Sequence, residues 1–287
     1  MKRLHHILPI VLASLMQALP LCAQQPSTKE VTNVKMFGIG SANILDTYLS
    51  PEHYNGLEFR FIDQTERHKV TTPTLSSSML PPSDNLDTPR WTTTLTHQAQ
   101  ISISKPRSED ANYLYGLYSF IYARHRHWHL MSNRLELKAG VQGEVGGGFL
   151  YNTRNGNNPA QARIYLNIAP SASARYLFNI KKMRAAVQYE AALPLLGVLF
   201  SPNYGQSYYE LFSKGNYDHN IVFTTPFNAP TLRQMLSFDF TVKRNVFRIG
   251  YLGDFQQAKV NNLKYHAYSH LIILGFVHRF NIQKIRP

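Results

Sequence analysis

Three of the twelve histidines in this 287-residue chain fall within one pentapeptide, HRHWH, as His125, His127 and His129. In an extended strand alternate residues share a face, and a His-x-His pair can then supply two imidazole ligands to a transition metal. In a turn the alternation fails and the three rings splay apart. No carboxylate follows closely in the sequence, so the segment is read as a solvated turn. Neither a metal nor any other cofactor is expected.

A second group, His266, Ser269 and His270, lies near the C-terminus. Nucleophilic hydrolysis needs a base within reach of the hydroxyl. Barrel phospholipases and lipid A deacylases resemble one another in meeting that need with His and Ser two apart on an outward strand face. Here His266 and Ser269 are three apart, and Ser269 and His270 are adjacent. On a regular strand both pairs diverge, so lipid hydrolysis stands as the alternative function and requires a bulge. Otherwise His266 and His270, flanking Tyr268, read as part of an interfacial polar belt.

A third group is aromatic. The connection from Pro194 to Arg233 gathers Tyr204, Tyr208, Tyr209, Phe212 and Tyr217 around SYYELFSKG, which reads as a short helical or interfacial segment. So long a connection is uncommon in a compact unit unless it is functional or folds as a lid. These five residues are expected to pack an ordered plug into a barrel mouth, or to recognise a partner.

The elements that must position these groups are strands. In RLELKAGVQGEVGGGF (134–149), Leu135, Leu137, Val141, Val145 and Phe149 alternate with Arg134, Glu136, Lys138, Gln142 and Glu144. That period of 2 is an extended chain between two different environments. GLEFRF, WTTTLTHQAQISIS, LSFDFTV and VFRIGYL repeat the pattern, and Pro170 marks a bulge or break within ARIYLNIAPSASARYLF. Soluble strands average about 5–6 residues, whereas crossing a bilayer takes about 9–11 tilted ones. The polar faces carry Glu58, Arg60, Glu136, Lys138, Glu144, Asp239 and Arg248. On a lipid face a central Lys or Arg costs about 2–4 kcal/mol, so these residues turn inward. The fold class is all-β: an antiparallel transmembrane β-barrel of about 10–12 strands, even in number, with one long structured loop. A missed hairpin within 194–233, or in the Pro/Ser-rich stretch after Val70, would give the higher count.

Lys2 and Arg3, the apolar run Ile7–Leu21 and LCAQQ form a signal peptide over 1–23, leaving 24–287 as the barrel domain. The single cysteine, Cys22, falls in that leader, so no disulfide is expected. The net charge of +13 favours anionic lipid and lipopolysaccharide as contacts. Nucleic acid is excluded for want of a basic helix or a recognised module. The expectation is a monomer in the outer membrane of a Gram-negative bacterium, with room for an unidentified envelope partner.

LDTYLSPEHYNG, NTRNGNNPA and SPNYGQSYYELFSKGNYDHN occur in that order, before the closing GYLGDFQQAKVNNLKYHAYSHLIILGF. Together they resemble a family of outer-membrane β-barrel proteins from Bacteroides-type bacteria, classed as a domain of unknown function. The resemblance runs from Phe37 to Phe280 and implies fold and location, without an activity to carry over. The reading is a non-enzymatic barrel with a largely blocked lumen.

Overall fold

Period-2 alternation becomes strand wherever the sequence carries it. The computed structural model describes residues 28–283 apart from 71–90, 109–110, 157, 182 and 244. The leader with Cys22 and the Pro/Ser-rich stretch after Val70 lie outside the described residues. The strands are β1 (Thr28–Asp46), β2 (Ser50–Val70), β3 (Trp91–Lys105), β4 (Tyr113–Leu130), β5 (Leu135–Asn152) and β6 (Ala160–Ile180). Then follow β7 (Met183–Ala192), β8 (Leu196–Phe200), a helix α1 (Tyr208–Phe212), β9 (Ile221–Thr224), β10 (Leu232–Val242), β11 (Asn245–Val260) and β12 (Leu263–Gln283).

Neighbours pair antiparallel in the order β1 to β7, then β10, β11 and β12, and β12 returns to β1 from Asp46↔Tyr265 to Thr28↔Gln283. The result is a closed barrel of ten strands. The hairpin considered within 194–233 exists as β8–β9, but it adds nothing to the ring. β8 prolongs β7 along the same neighbour, with Ser171↔Ala192 followed by Ile168↔Leu196. Leu193 and Leu195 keep the backbone bonds on either side of Pro194, to Pro170 O at 3.2 Å and Ile168 O at 3.0 Å. The irregularity expected at Pro170 therefore falls on the facing strand. β6 itself runs unbroken for 21 residues.

Tight reversals explain the short connections. Asn261 and Asn262 hold φ of 51° and 59° between β11 and β12, the left-handed pair that a two-residue hairpin needs. The β4–β5 reversal is less usual, with Met131, Ser132 and Asn133 all left-handed and no glycine among them.

The two faces separate as the alternation requires. Leu57, Phe59, Ile101, Ile103, Val141, Val145, Ile164, Leu166, Ile272 and Leu274 are exposed on the outside. At the end carrying the termini an aromatic chain follows the outer wall: Tyr176, Phe178, Phe238, Phe240, Phe247 and Phe276, each ring centroid within 6.3 Å of the next. At the loop end Tyr251, Phe255, His266, Tyr268 and His270 form a second set. An apolar band between two aromatic girdles is the exterior of an outer-membrane barrel.

Val141→Arg should therefore impair assembly far more than Gln142→Arg, because Val141 is 55% exposed on the apolar band while Gln142 lines the interior. The expected difference is about 2–4 kcal/mol near the midplane. It is read from the yield of heat-modifiable folded protein on semi-native gels, and equal tolerance at the two sites would mean the faces are exchanged.

Candidate functional site in the barrel interior

A ring of ten strands leaves an interior that side chains can fill, and the inward rows are polar. Burying a charge is costly unless a partner meets it, so the charges pair across the ring. From β2, Arg60 donates through Nε and Nη2 to Glu58 Oε1 at 2.8 and 2.6 Å, and through Nη1 to Asp254 Oδ2 of β11 at 2.6 Å. From β10, Arg233 grips Glu144 of β5 with two bonds of 3.1 and 3.0 Å and reaches Asp254 Oδ2 at 3.4 Å. Tyr165 of β6 donates to Glu144 Oε1 at 2.8 Å. One connected network thus links β2 to β5 and β6 by way of β11 and β10.

Other levels are bridged as well. Towards the loop end, Tyr54 stacks on Tyr113 at 4.3 Å, the Tyr115 and Tyr265 hydroxyls meet at 3.1 Å, and the Arg163 guanidinium lies 3.5 Å from the Tyr265 ring centroid. Towards the termini, Arg248 pairs with Asp239 through bonds of 2.6 and 2.9 Å. Lys138 of β5 reaches across to Glu66 of β2. A cavity of about 110 Å³ remains, lined by Gln64, Glu66, His125, Lys138, Glu190 and Arg233 among others.

The serine and histidines of β12 do not converge. Ser269 is buried and faces inward, donating to Glu58 Oε2 at 2.5 Å. His266 and His270 face outward. His266 stacks on Tyr268 at 4.4 Å and bonds Asn43 Oδ1 at 2.6 Å, and His270 Nδ1 meets the Tyr251 hydroxyl at 2.7 Å. No bulge brings base and hydroxyl together: the strand is in register with β1 throughout.

HRHWH is strand, which corrects the solvated-turn reading. β4 continues through Leu130 and the reversal comes after it, so His125, His127 and His129 share the inward face. His125 Nε2 meets Ser171 Oγ at 2.7 Å. Carboxylates distant from the pentapeptide are brought to it: His127 Nδ1 lies 3.0 Å from Glu136 Oε1 of β5. On its other side His127 contacts Thr92 Oγ1, which lies 3.2 Å from His68 Nδ1. His68 Nε2 is in turn 3.0 Å from Glu66 Oε1. Sequence reasoning missed Glu66, His68, Thr92 and Glu136 as neighbours of these histidines. The signal for Glu136 was the hairpin itself, which sets His129 opposite it once the turn is placed at 131–134.

The long connection, called the cap below, carries α1 and is bonded to the rim by Tyr48 and Asn261. Its helix begins on a capping box, with Ser207 Oγ accepting from Glu210 N at 3.2 Å and Glu210 Oε2 accepting from Ser207 N at 2.8 Å. Those bonds hold the exposed Glu210 carboxyl below its ordinary range. The five aromatics part ways. Tyr208 reaches the rim, its hydroxyl donating to Gln161 Oε1 at 2.8 Å and accepting from Ala162 N at 2.7 Å. Tyr204, Tyr209, Phe212 and Tyr217 are instead between 64% and 74% exposed, so they do not pack into the mouth. Leu211, fully buried, is the residue that anchors the helix.

The chain belongs to the family described as "Protein of unknown function (DUF3316)", whose model matches residues 7–287. No curated protein matches it. Its fold resembles those of outer-membrane proteins at low sequence identity. The transport unit of the autotransporter AIDA-I from Escherichia coli is 9% identical with TM-score 0.47, covering 98% of this chain and 97% of that one. The outer-membrane protease OmpT from Escherichia coli is 9% identical with TM-score 0.41, covering 90% and 98%. The translocator domain of autotransporter NalP from Neisseria meningitidis is 9% identical with TM-score 0.32, covering 95% of each.

Two outcomes test this interior and its cap. Arg60→Met leaves Glu58 buried without its cation and Asp254 with Arg233 alone, and should cost about 3–5 kcal/mol in urea unfolding of the detergent-folded barrel. The double variant Arg60→Met with Glu58→Gln should recover part of that loss. At the cap, burial pushes the Tyr208 phenol up to about 12 from 10.0. A raised folded value means that its stabilisation is complete below the unfolded pKa and lost as pH rises through the folded one. Limited proteolysis should then find the cap closed at neutral pH, opening only between about pH 10 and 12. Tyr208→Phe should be cut faster already at pH 7.

Proposed function

We propose that this family member is a monomeric, non-enzymatic barrel of the Gram-negative outer membrane, with a lumen closed to ions and a cap that presents aromatic side chains outward. The observation carrying the closed lumen is the Arg60–Asp254–Arg233–Glu144 network, which crosses the interior from β2 to β5. The Tyr115–Tyr265 contact supports it one level higher. Each guanidinium in that network would have to leave buried carboxylates to open a path, and breaking a buried pair costs several kcal/mol.

Closure of this kind lies within the wall-to-wall side chains and not in the loop. The cap then serves recognition better than plugging: Tyr204, Tyr209, Phe212 and Tyr217 are exposed, and Phe227 is 98% exposed beside them in sequence. The positive balance of the chain suits lipopolysaccharide and anionic lipid as the surfaces it meets. Lipid hydrolysis is not favoured, because Ser269 is committed to Glu58 inside while His266 and His270 are outside.

Membrane fractionation should recover the protein in the outer membrane, and a soluble periplasmic monomer would refute the location. In planar bilayers the folded barrel should give no steady ionic current. Deleting Gln206–Asn216 should leave it closed, with folding retained. Open-pore conductance by the wild type would defeat the proposal, and conductance gained by the deletion alone would assign the block to the cap instead.

A further inference from the structure

Glu136, His127, Thr92, His68 and Glu66 form one unbroken file inside the barrel, contributed by β5, β4, β3 and β2. Both ends of the file are carboxylates, and every link between neighbours joins two atoms with lone pairs. Each link must therefore contain a hydrogen or another cation. The Thr92 hydroxyl supplies one hydrogen and each neutral imidazole supplies one. Four links then share three hydrogens, and one link is left to be filled.

The direction of the bonds decides which end carries the gap, and His129 marks the Glu136 end. If His127 Nε2–H donates to Thr92, Thr92 donates to His68 Nδ1 and His68 Nε2–H donates to Glu66, three links close with neutral rings. What remains is His127 Nδ1 facing Glu136 Oε1 at 3.0 Å, lone pair against carboxylate. His129 stands beside this link. It lies directly opposite Glu136 in the hairpin register, and both of its ring nitrogens are shielded from solvent without a hydrogen-bond partner among the described residues. One nitrogen each from His127 and His129 and one Glu136 oxygen lie within 4.8 Å of one another.

We infer that His127, His129 and Glu136 form a binding site for one divalent transition-metal ion of the zinc class. Zinc takes His nitrogen and carboxylate oxygen at about 2.0–2.2 Å, which sets tetrahedral ligand atoms about 3.4 Å apart. The 3.0 Å link needs only slight widening to admit the ion. The ion would give His129 a partner and complete the file without any charged imidazole. Thr92, His68 and Glu66 become the outer shell that fixes the His127 tautomer, as metal-bound histidines ordinarily require. Lys138 also approaches Glu136 Oε1, at 3.5 Å, and is paired with Glu66. Its ammonium is the rival for the negative charge.

The test uses full-length protein folded in detergent without a polyhistidine tag. Calorimetric titration with Zn²⁺ at pH 7.5 should give about one ion per chain, and Mg²⁺, which prefers oxygen ligands, should give none. Co²⁺ should show the visible absorption of a tetrahedral nitrogen–oxygen site. His129→Gln and Glu136→Gln should each abolish stoichiometric binding, Thr92→Val should weaken it about 10–100-fold, and His270→Gln on the outer wall should leave it intact. Folding of each variant is checked by heat-modifiability, and either ligand variant alone suffices. Absence of stoichiometric Zn²⁺ binding by the wild type would mean that a proton or Lys138 supplies the charge, and the site falls. Wild-type affinity in both folded ligand variants would overturn it equally.

Discussion

Everything in this molecule hangs on the pairing of the first strand with the last. Hydrocarbon offers backbone N–H and C=O groups no partner, so a sheet there has no tolerable edge. β1 and β12 remove the edge along their full described length, from Thr28↔Gln283 to Asp46↔Tyr265. Once closed, the sheet cannot choose where its inward residues go. Every second side chain enters one narrow space, and a one-residue slip would exchange the faces along the whole strand. The apolar band outside and the charged rows inside are two readings of that one constraint.

The interior follows from the space available. Arg60, Arg233 and Arg248 each bond more than one acceptor, because a planar guanidinium can satisfy several oxygens from a single position. Lysine offers less reach in geometry, and Lys138 is shared between Glu66 and Glu136. Arg60–Asp254, Arg233–Glu144 and Lys138–Glu66 join strands that are not neighbours in the ring, so they act as struts across it as well as discharging buried charge. Such struts stiffen a barrel more than they stabilise it, since desolvation offsets much of the attraction. Charged inner rows in a ring of ten strands thus find their partners across the interior.

The face of each strand was legible because alternation is a local property. Leu57, Phe59, Val141, Val145 and Ile249 could be placed outside, and Glu58, Arg60, Glu144 and Arg248 inside, from spacing alone. α1 was legible for a similar reason, since SYYEL carries its own capping box. What could not be read was which inward residues meet. Arg60 and Asp254 are 194 positions apart, and nothing local relates them. HRHWH was misplaced because its reversal, Met131–Arg134, contains no glycine or proline to announce a turn. The aromatic loop misled differently. Its tyrosines suggested a plug, whereas burial went to Leu211 and to one phenol able to bond the rim, Tyr208.

The two ends of the barrel are built on different chemistry, and this bears on where specificity can reside. The loop end gathers rings and aliphatic groups around Tyr54, Tyr113, Tyr115 and Leu150. Apolar packing of that kind is undirected, so it can seal a mouth without selecting anything. The termini end concentrates imidazole, carboxylate, ammonium and hydroxyl groups, whose bonds are directional and must be matched in number as well as position. A mismatch in number, such as the file from Glu136 to Glu66 carries, cannot be relieved by repacking. It is relieved by a further positive charge, whether a proton, the Lys138 ammonium or a bound ion. Directional bonding inside this barrel therefore belongs to the histidine end, and exposed aromatic surface to the connection that carries α1.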